Sequence, residues 1–306
     1  MGQNMVGWLS FKCSAPKGTK LFFQFGEILQ DGNFYNQNLR SAKAEFTYIA
    51  DGTQCEVRQH FTFYGFRYMK VEYVDKSGKL TEKPEGSVEN FTAHHLRSDF
   101  DQTGRIETGV KKVNQLFQNA LWGQKDNFLD VPTDCPQRDE RLGWTGDAQI
   151  FFNTAAYLLD YAAFARKFEQ DLCDWQAKDK KGRFPQIAPA GGVDSYMETM
   201  NGSVGWSDAG VMIPYRFWKI YGDRKILADN YAAMKKYARF MIRRCGNRGL
   251  FAKSLHLSGE AKKYAVNTGQ SYGEWAEPAD VHPNKWTDMI APHPEVSTAY
   301  TVYVMR

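Results

Sequence analysis

The feature that most constrains this chain is a change of hydrophobic period near residue 106. From Val6 to about Arg97 apolar residues alternate with partners of different character, as in Leu21, Phe23 and Phe25, in Phe61 and Phe63, and in Met69, Val71 and Tyr73. Period two is the signature of strands with one buried face. Asp31-Gly32-Asn33, Asp51-Gly52 and Ser77-Gly78 fall between these runs at spacings that suit an antiparallel sandwich. After the polar stretch Arg97 to Gly104, Val110, Val113, Phe117, Ala120 and Leu121 recur at three and four, which predicts an amphipathic helix running to about Trp122. Further helices are predicted over Gly146 to Leu159, Tyr161 to Lys178, Ser207 to Tyr221 and Arg224 to Arg244, with a sixth starting near Glu295. In the fifth, Leu227, Tyr231, Met234, Ala238 and Met241 share one face. The pattern therefore predicts two domains, an all-β domain over 1–104 and a helical domain over 105–306.

Composition narrows the class of partner. With 42% hydrophobic and 24% charged residues the chain reads as globular, and nothing approaches the ~20 apolar residues that span a bilayer. A net charge of +4 is spread thinly, and its densest run, Lys235, Lys236, Arg239, Arg243 and Arg244, reads as a solvated helix face, so neither nucleic acid nor membrane is an expected partner. Five cysteines without a C-x-x-C pair argue against a disulfide framework or a zinc knuckle, and the six histidines lack metal-ligand spacing, so no metal or other cofactor is expected. The first residues, MGQNMVGWLS, lack the pattern of a signal peptide, which gives a cytoplasmic location as the expectation. The apolar stretch Thr298 to Val304 reaches the end of the chain without a cap, the pattern expected of a truncated protein. Aromatic residues reach 15%, and flat rings are one means of meeting the C–H face of a sugar.

Two long connections, Lys125 to Thr145 and Asp179 to Trp206, are rich in Gly, Pro, Asp and aromatic residues. Loops of that length joining regular helices are disproportionately functional. The first holds DVPTDCPQRDERLGWTGD, which sets Asp134, Asp139, Glu140 and Asp147 beside Arg138, Arg141 and Trp144. Pro132 and Pro136 stiffen it, Gly143 and Gly146 allow tight backbone paths, and Thr145 with Asp147 suits the start of a helix. Cleaving a glycosidic bond takes a protonated carboxyl and a second carboxylate, and crowded carboxylates raise one another's pKa. By composition alone, a salt-bridged structural loop is the simpler reading of such a cluster.

The spelling DCPQRDERLGWTGDAQ closely resembles the signature of the bacterial α-L-rhamnosidases, and FGEILQDGNFYNQNLRSAKAEFTY, FTFYGFRYMKV, GWSDAGVMIPYRFWKIYGD and SYGEWAEP resemble further segments of that family. The resemblance implies a multidomain α and β protein: an N-terminal antiparallel β-sandwich followed by part, about half, of an (α/α)6 barrel. It implies release of terminal α-linked L-rhamnose with inversion, with Glu140 as general acid and Asp134, Arg138, Trp144 and Asp147 at the rhamnose subsite. Trp206, Asp208 and Trp275 match barrel positions near the sugar. Asp194 reads equally as an ordinary loop residue, and Glu274 as subsite or structure. The family's general base is a glutamate on a later part of the barrel than any segment here, so the alternative is a catalytically incomplete fragment that only binds sugar. The implied partner is a rhamnose-containing glycoside or oligosaccharide.

Overall fold

In a computed structural model of the chain, residues 1–75, 77–82, 88–190, 195–247, 259–272 and 293–306 are described. They form two compact units, Met1–Asp99 with Ile106–Arg141, and Phe100–Arg105 with Leu142–Arg306. By contacts, the first helix and the loop after it group with the strands, and Phe100–Arg105 with the later helices.

The first unit is built on ten strands: β1 (Met5–Cys13), β2 (Lys20–Gly26), β3 (Ile28–Gln30), β4 (Asn33–Tyr35), β5 (Glu45–Ile49), β6 (Cys55–Arg58), β7 (Tyr64–Phe66), β8 (Tyr68–Val74), β9 (Leu80–Thr81) and β10 (Val88–His95). One sheet runs β10-β1-β6 with β7 also on β1, a second runs β5-β2-β8-β9, and β3-β4 is a separate hairpin. All described pairings between these strands are antiparallel. Leu9, Phe11 and Cys13 of β1 meet Leu21, Phe23 and Phe25 of β2 in one core with Val57, Tyr64 and Phe66, so the period-two residues are the sandwich interior. Each fully buried phenylalanine removes enough apolar surface from water to contribute roughly 2–3 kcal/mol. Asp31-Gly32 turns β3 into β4 with positive φ at both residues (51° and 78°), the geometry of a two-residue hairpin loop. The Phe61 and Phe63 alternation is not a strand: Phe61 is fully exposed at φ 57°, and pairing begins only at Tyr64. Helix α1 (Lys111–Asn127) runs five residues past the expected end at Trp122.

The second unit holds α2 (Thr145–Leu158), α3 (Ala162–Lys178), α4 (Ser195–Thr199), α5 (Ala209–Tyr221), α6 (Lys225–Arg244) and α7 (Pro294–Met305). Only Leu159, Asp160 and Tyr161 separate α2 from α3, and only Gly222, Asp223 and Arg224 separate α5 from α6; α5 and α6 pack on each other as a helical hairpin, and α5 also packs on α2 and α3. Gly222 at φ 68° donates its N–H to Trp218 O and ends α5. The buried face of α6 is Ile226, Asn230, Tyr237, Met241 and Arg244; of the predicted stripe Met241 is fully buried, Tyr231 is exposed, and the inward face otherwise lies one position round. The inner face carries polar residues that an apolar count passes over: Asn230 Nδ2 donates to Ile226 O, and Arg244 NH1 to Gly202 O at 2.6 Å. Arg244 therefore leaves the solvated basic face to which the sequence assigned it. Among the described residues no helix is long and apolar enough to cross a membrane.

Candidate active site

The signature loop is divided between the two units, residues 134–141 lying in the first and 142–147 in the second. In the first, Glu140 is partly exposed, and its Oε2 meets two guanidiniums. Arg138 donates from Nε at 3.0 Å and approaches through NH2 at 2.9 Å, and Arg40 NH2 lies at 2.9 Å. Arg138 NH2 also lies 3.6 Å from Asp134 Oδ2, one helical turn back in sequence and almost fully buried. Gln137 Nε2 donates to Glu27 Oε2 at 2.9 Å, which ties the loop to the sandwich. The contacts described for Oε2 come from cations, Arg138 and Arg40. Asp139, the neighbouring carboxyl, is held below the usual carboxylate range, chiefly by the Ser41 hydroxyl and amide and also by Arg40. Cys135 is buried beside Asp134, and loss of solvent pushes its thiol up to about 12, so it is no nucleophile.

In the second unit the loop is zipped against the other long connection. Ala188 N donates to Gly143 O at 2.9 Å, Trp144 bridges Ile187, and Thr145 N donates to Gln186 O at 3.0 Å. That short ladder fixes the backbone that carries Trp144. Tyr272 lies edge-on to Trp144, with ring centroids 6.5 Å apart, and against Trp206 at 4.3 Å, so the three rings form one cluster. Gly146 makes room for it, since a Cβ there would sit 2.6–2.7 Å from the Trp206 indole. Tyr272 OH donates to Gln186 Oε1 at 2.5 Å, and Ser203 Oγ reaches the same oxygen at 3.3 Å, making buried Gln186 the anchor of the cluster. No local sequence pattern marks Tyr272 or Gln186; SYGEW points to Trp275 instead. Asp147 is exposed on the first turn of α2, where a carboxylate complements the helix dipole. Trp275, Glu274 and Asp194 lie outside the described residues.

Asp208 is fully buried, accepting from Gly205 N at 2.6 Å and Tyr237 OH at 3.0 Å. Its carboxylate thus braces the tight turn that presents Trp206. Burial pushes its pKa up to about 6 against the opposing pull of these donors and of Arg244. Because the folded value lies above the unfolded one, near 3.8, the contribution of this group to stability is complete below that pH and is lost as pH rises through about 6. Asp208→Asn removes the titration. The stability gap between wild type and variant, from urea unfolding, is expected to move in the variant's favour by up to about 3 kcal/mol between roughly pH 4 and 6 and to stay flat elsewhere. Parallel profiles through that window would refute the assignment.

Comparison with known proteins gives the family. The bacterial alpha-L-rhamnosidase 6 hairpin glycosidase domain matches residues 101–306, and the bacterial alpha-L-rhamnosidase concanavalin-like domain matches residues 1–94. An alpha-L-rhamnosidase of Streptomyces avermitilis is 38% identical over 293 residues, covering 95% of this chain and 25% of that protein. One from an Alteromonas species is 34% identical over 281 residues, 90% of this chain and 27% of that one. The crystal structure of the Streptomyces avermitilis enzyme complexed with L-rhamnose superposes with a TM-score of 0.74 at 36% identity, over 99% of this chain and 26% of that one. An α-L-rhamnosidase structure from Dictyoglumus thermophilum gives 0.76 at 27% identity, over 99% and 30%. The chain thus spans about a quarter of the length of the curated relatives it matches. The resemblance read from sequence and the architecture it implied, an N-terminal antiparallel β-sandwich followed by part of an (α/α)6 barrel, both hold.

Proposed function

We propose, because this chain belongs to the bacterial α-L-rhamnosidase family, that it supplies the acid half of a glycoside hydrolase that removes terminal α-linked L-rhamnose with inversion. The observation that carries this reading is the family match over residues 101–306, which contains the signature loop and Glu140; the clamp supports it by fixing where that carboxyl sits. Two guanidiniums converge on Oε2 of a carboxyl that is still partly open to solvent, which holds the side chain in one place for proton transfer toward the leaving group. Arg138 then has a second duty, offering fork-shaped donors to sugar hydroxyls beside Asp134. Trp144 and Trp206 give apolar ring faces for the deoxyhexose, with Asp147 and Trp275 as further subsite members, while Asp208 acts by holding the turn under Trp206. An inverting reaction needs a second carboxylate about 6.5–9.5 Å from the acid, with water between. We assign that base to none of the residues described here.

The stereochemical outcome is the direct test. Proton NMR of the first product formed from an aryl α-L-rhamnoside is expected to show β-L-rhamnose before mutarotation sets in. Initial release of the α anomer would overturn inversion and demand a covalent intermediate. The short span relative to the relatives favours one other reading, a segment that binds rhamnose without turning it over. Calorimetry with L-rhamnose beside a turnover assay on the 306-residue chain separates the two, since binding without product supports the second.

A further inference from the structure

We propose that Arg40, a residue of the sandwich domain, is a positioning residue for the catalytic carboxyl. This rests on the reading of Glu140 as general acid. Arg40 is a hundred positions away in sequence, yet its guanidinium spans two carboxylates of the signature loop, with NH2 2.9 Å from Glu140 Oε2 and NH1 3.5 Å from Asp139 Oδ1. The next residue, Ser41, grips Asp139 Oδ2 through both its backbone N–H, at 3.2 Å, and its hydroxyl. Four interactions from two adjacent residues thus converge on two adjacent residues of the loop.

The backbone that delivers them is costly to form. After a single 3-10 turn over Gln37–Leu39, Arg40 adopts φ 58°, a region that side chains with a Cβ avoid. Leu39 is buried beneath the turn, and Arg40 N and Ala42 N donate back to Gln37 O and Leu39 O, winding the segment around that anchor. Strain at a half-exposed arginine gains nothing for the sandwich core, which lies elsewhere on β1, β2, β6 and β7. What the conformation does achieve is to aim Arg40 and Ser41 at residues 139 and 140. Exposed ion pairs add little to stability, so the value of this one is orientational. Arg138 approaches Glu140 from two residues away along the same loop and moves with it, whereas Arg40 is carried by the separate connection between β4 and β5 and sets where the loop stops.

Arg40→Ala, Arg40→Lys and Glu140→Gln are compared by turnover of an aryl α-L-rhamnoside in a rhamnosidase-active protein that contains residues 1–306, and by amide hydrogen exchange of the segment 134–141 in the 306-residue chain. Removing the guanidinium is expected to lower kcat by about tenfold or more with KM nearly unchanged, because misplacement of a reacting group by ~1 Å costs up to about a hundredfold. Lysine restores part of the loss, as an ammonium can reach Glu140 but cannot bridge both carboxylates. Exchange in the loop quickens by about tenfold in Arg40→Ala, while the thermal midpoint holds. Loop exchange unchanged from wild type overturns the proposal whatever the turnover. So does a loss confined to KM, or a lowered thermal midpoint that lysine does not repair. If Glu140→Gln is inactive while Arg40→Ala is normal, only the positioning role fails; if Glu140→Gln stays active, the acid assignment itself falls.

Discussion

Glu140→Gln is expected to slow hydrolysis of rhamnosides with poor leaving groups by about 10²–10⁴-fold, the usual worth of a positioned general acid. Glutamine keeps the shape of the side chain, and its carbonyl oxygen can still accept from Arg138 and Arg40, whose donors lie at 2.9–3.0 Å. The clamp therefore survives while the transferable proton is gone. The loss has a signature that separates chemistry from damage to the fold. A dinitrophenolate departs without protonation, so the dinitrophenyl rhamnoside is expected to recover most of the lost rate, whereas an alkyl rhamnoside recovers none. Measured in a rhamnosidase-active protein that contains residues 1–306, equal loss across leaving groups would point to a binding or structural role instead. Asp134→Asn gives the contrast: one neutralised partner of Arg138 is expected to weaken sugar binding across all leaving groups alike.

The sequence announces the strands and helices because their apolar periods are long and regular. It misleads where a polar residue takes an interior place. On α6 the apolar count selects Leu227 and Tyr231, yet the inward face is set by Asn230 and Arg244, which satisfy backbone carbonyls. Phe61 and Phe63 alternate like a strand, but pairing to β1 starts at Tyr64, and Phe61 is left in solvent at positive φ. The signature loop is legible as a cluster of charges; its clamp is not. Arg40 and Ser41 are a hundred positions distant, and no local pattern marks them as partners of Asp139 and Glu140. Gln186 and Tyr272 escape for the same reason: their hydrogen bond joins residues 86 apart, and only folding brings a glutamine under the tryptophans.

Gly143→Ala tests whether the site depends on that folding. A Cβ at Gly143 would sit 2.0 Å from Ala188 O, a backbone atom with no rotamer to escape through, and 3.3 Å from the buried Phe168 ring. One of the two chains must move, and the same two chains are joined by Ala188 N to Gly143 O and by Thr145 N to Gln186 O. Separating them breaks the ladder that carries Trp144 and frees Gln186, the acceptor that holds Tyr272 against Trp206. The expected cost is roughly 2–4 kcal/mol in urea unfolding, the range of an overpacked core with lost hydrogen bonds, together with weaker rhamnose binding. Gly205→Ala is the control for backbone strain alone. Gly205 sits at φ 87° with nothing near its absent Cβ, so alanine there costs only about 1–2 kcal/mol of left-handed conformation. If the two variants lose equal stability and equal affinity, close packing at Gly143 is not what shapes the aromatic cluster.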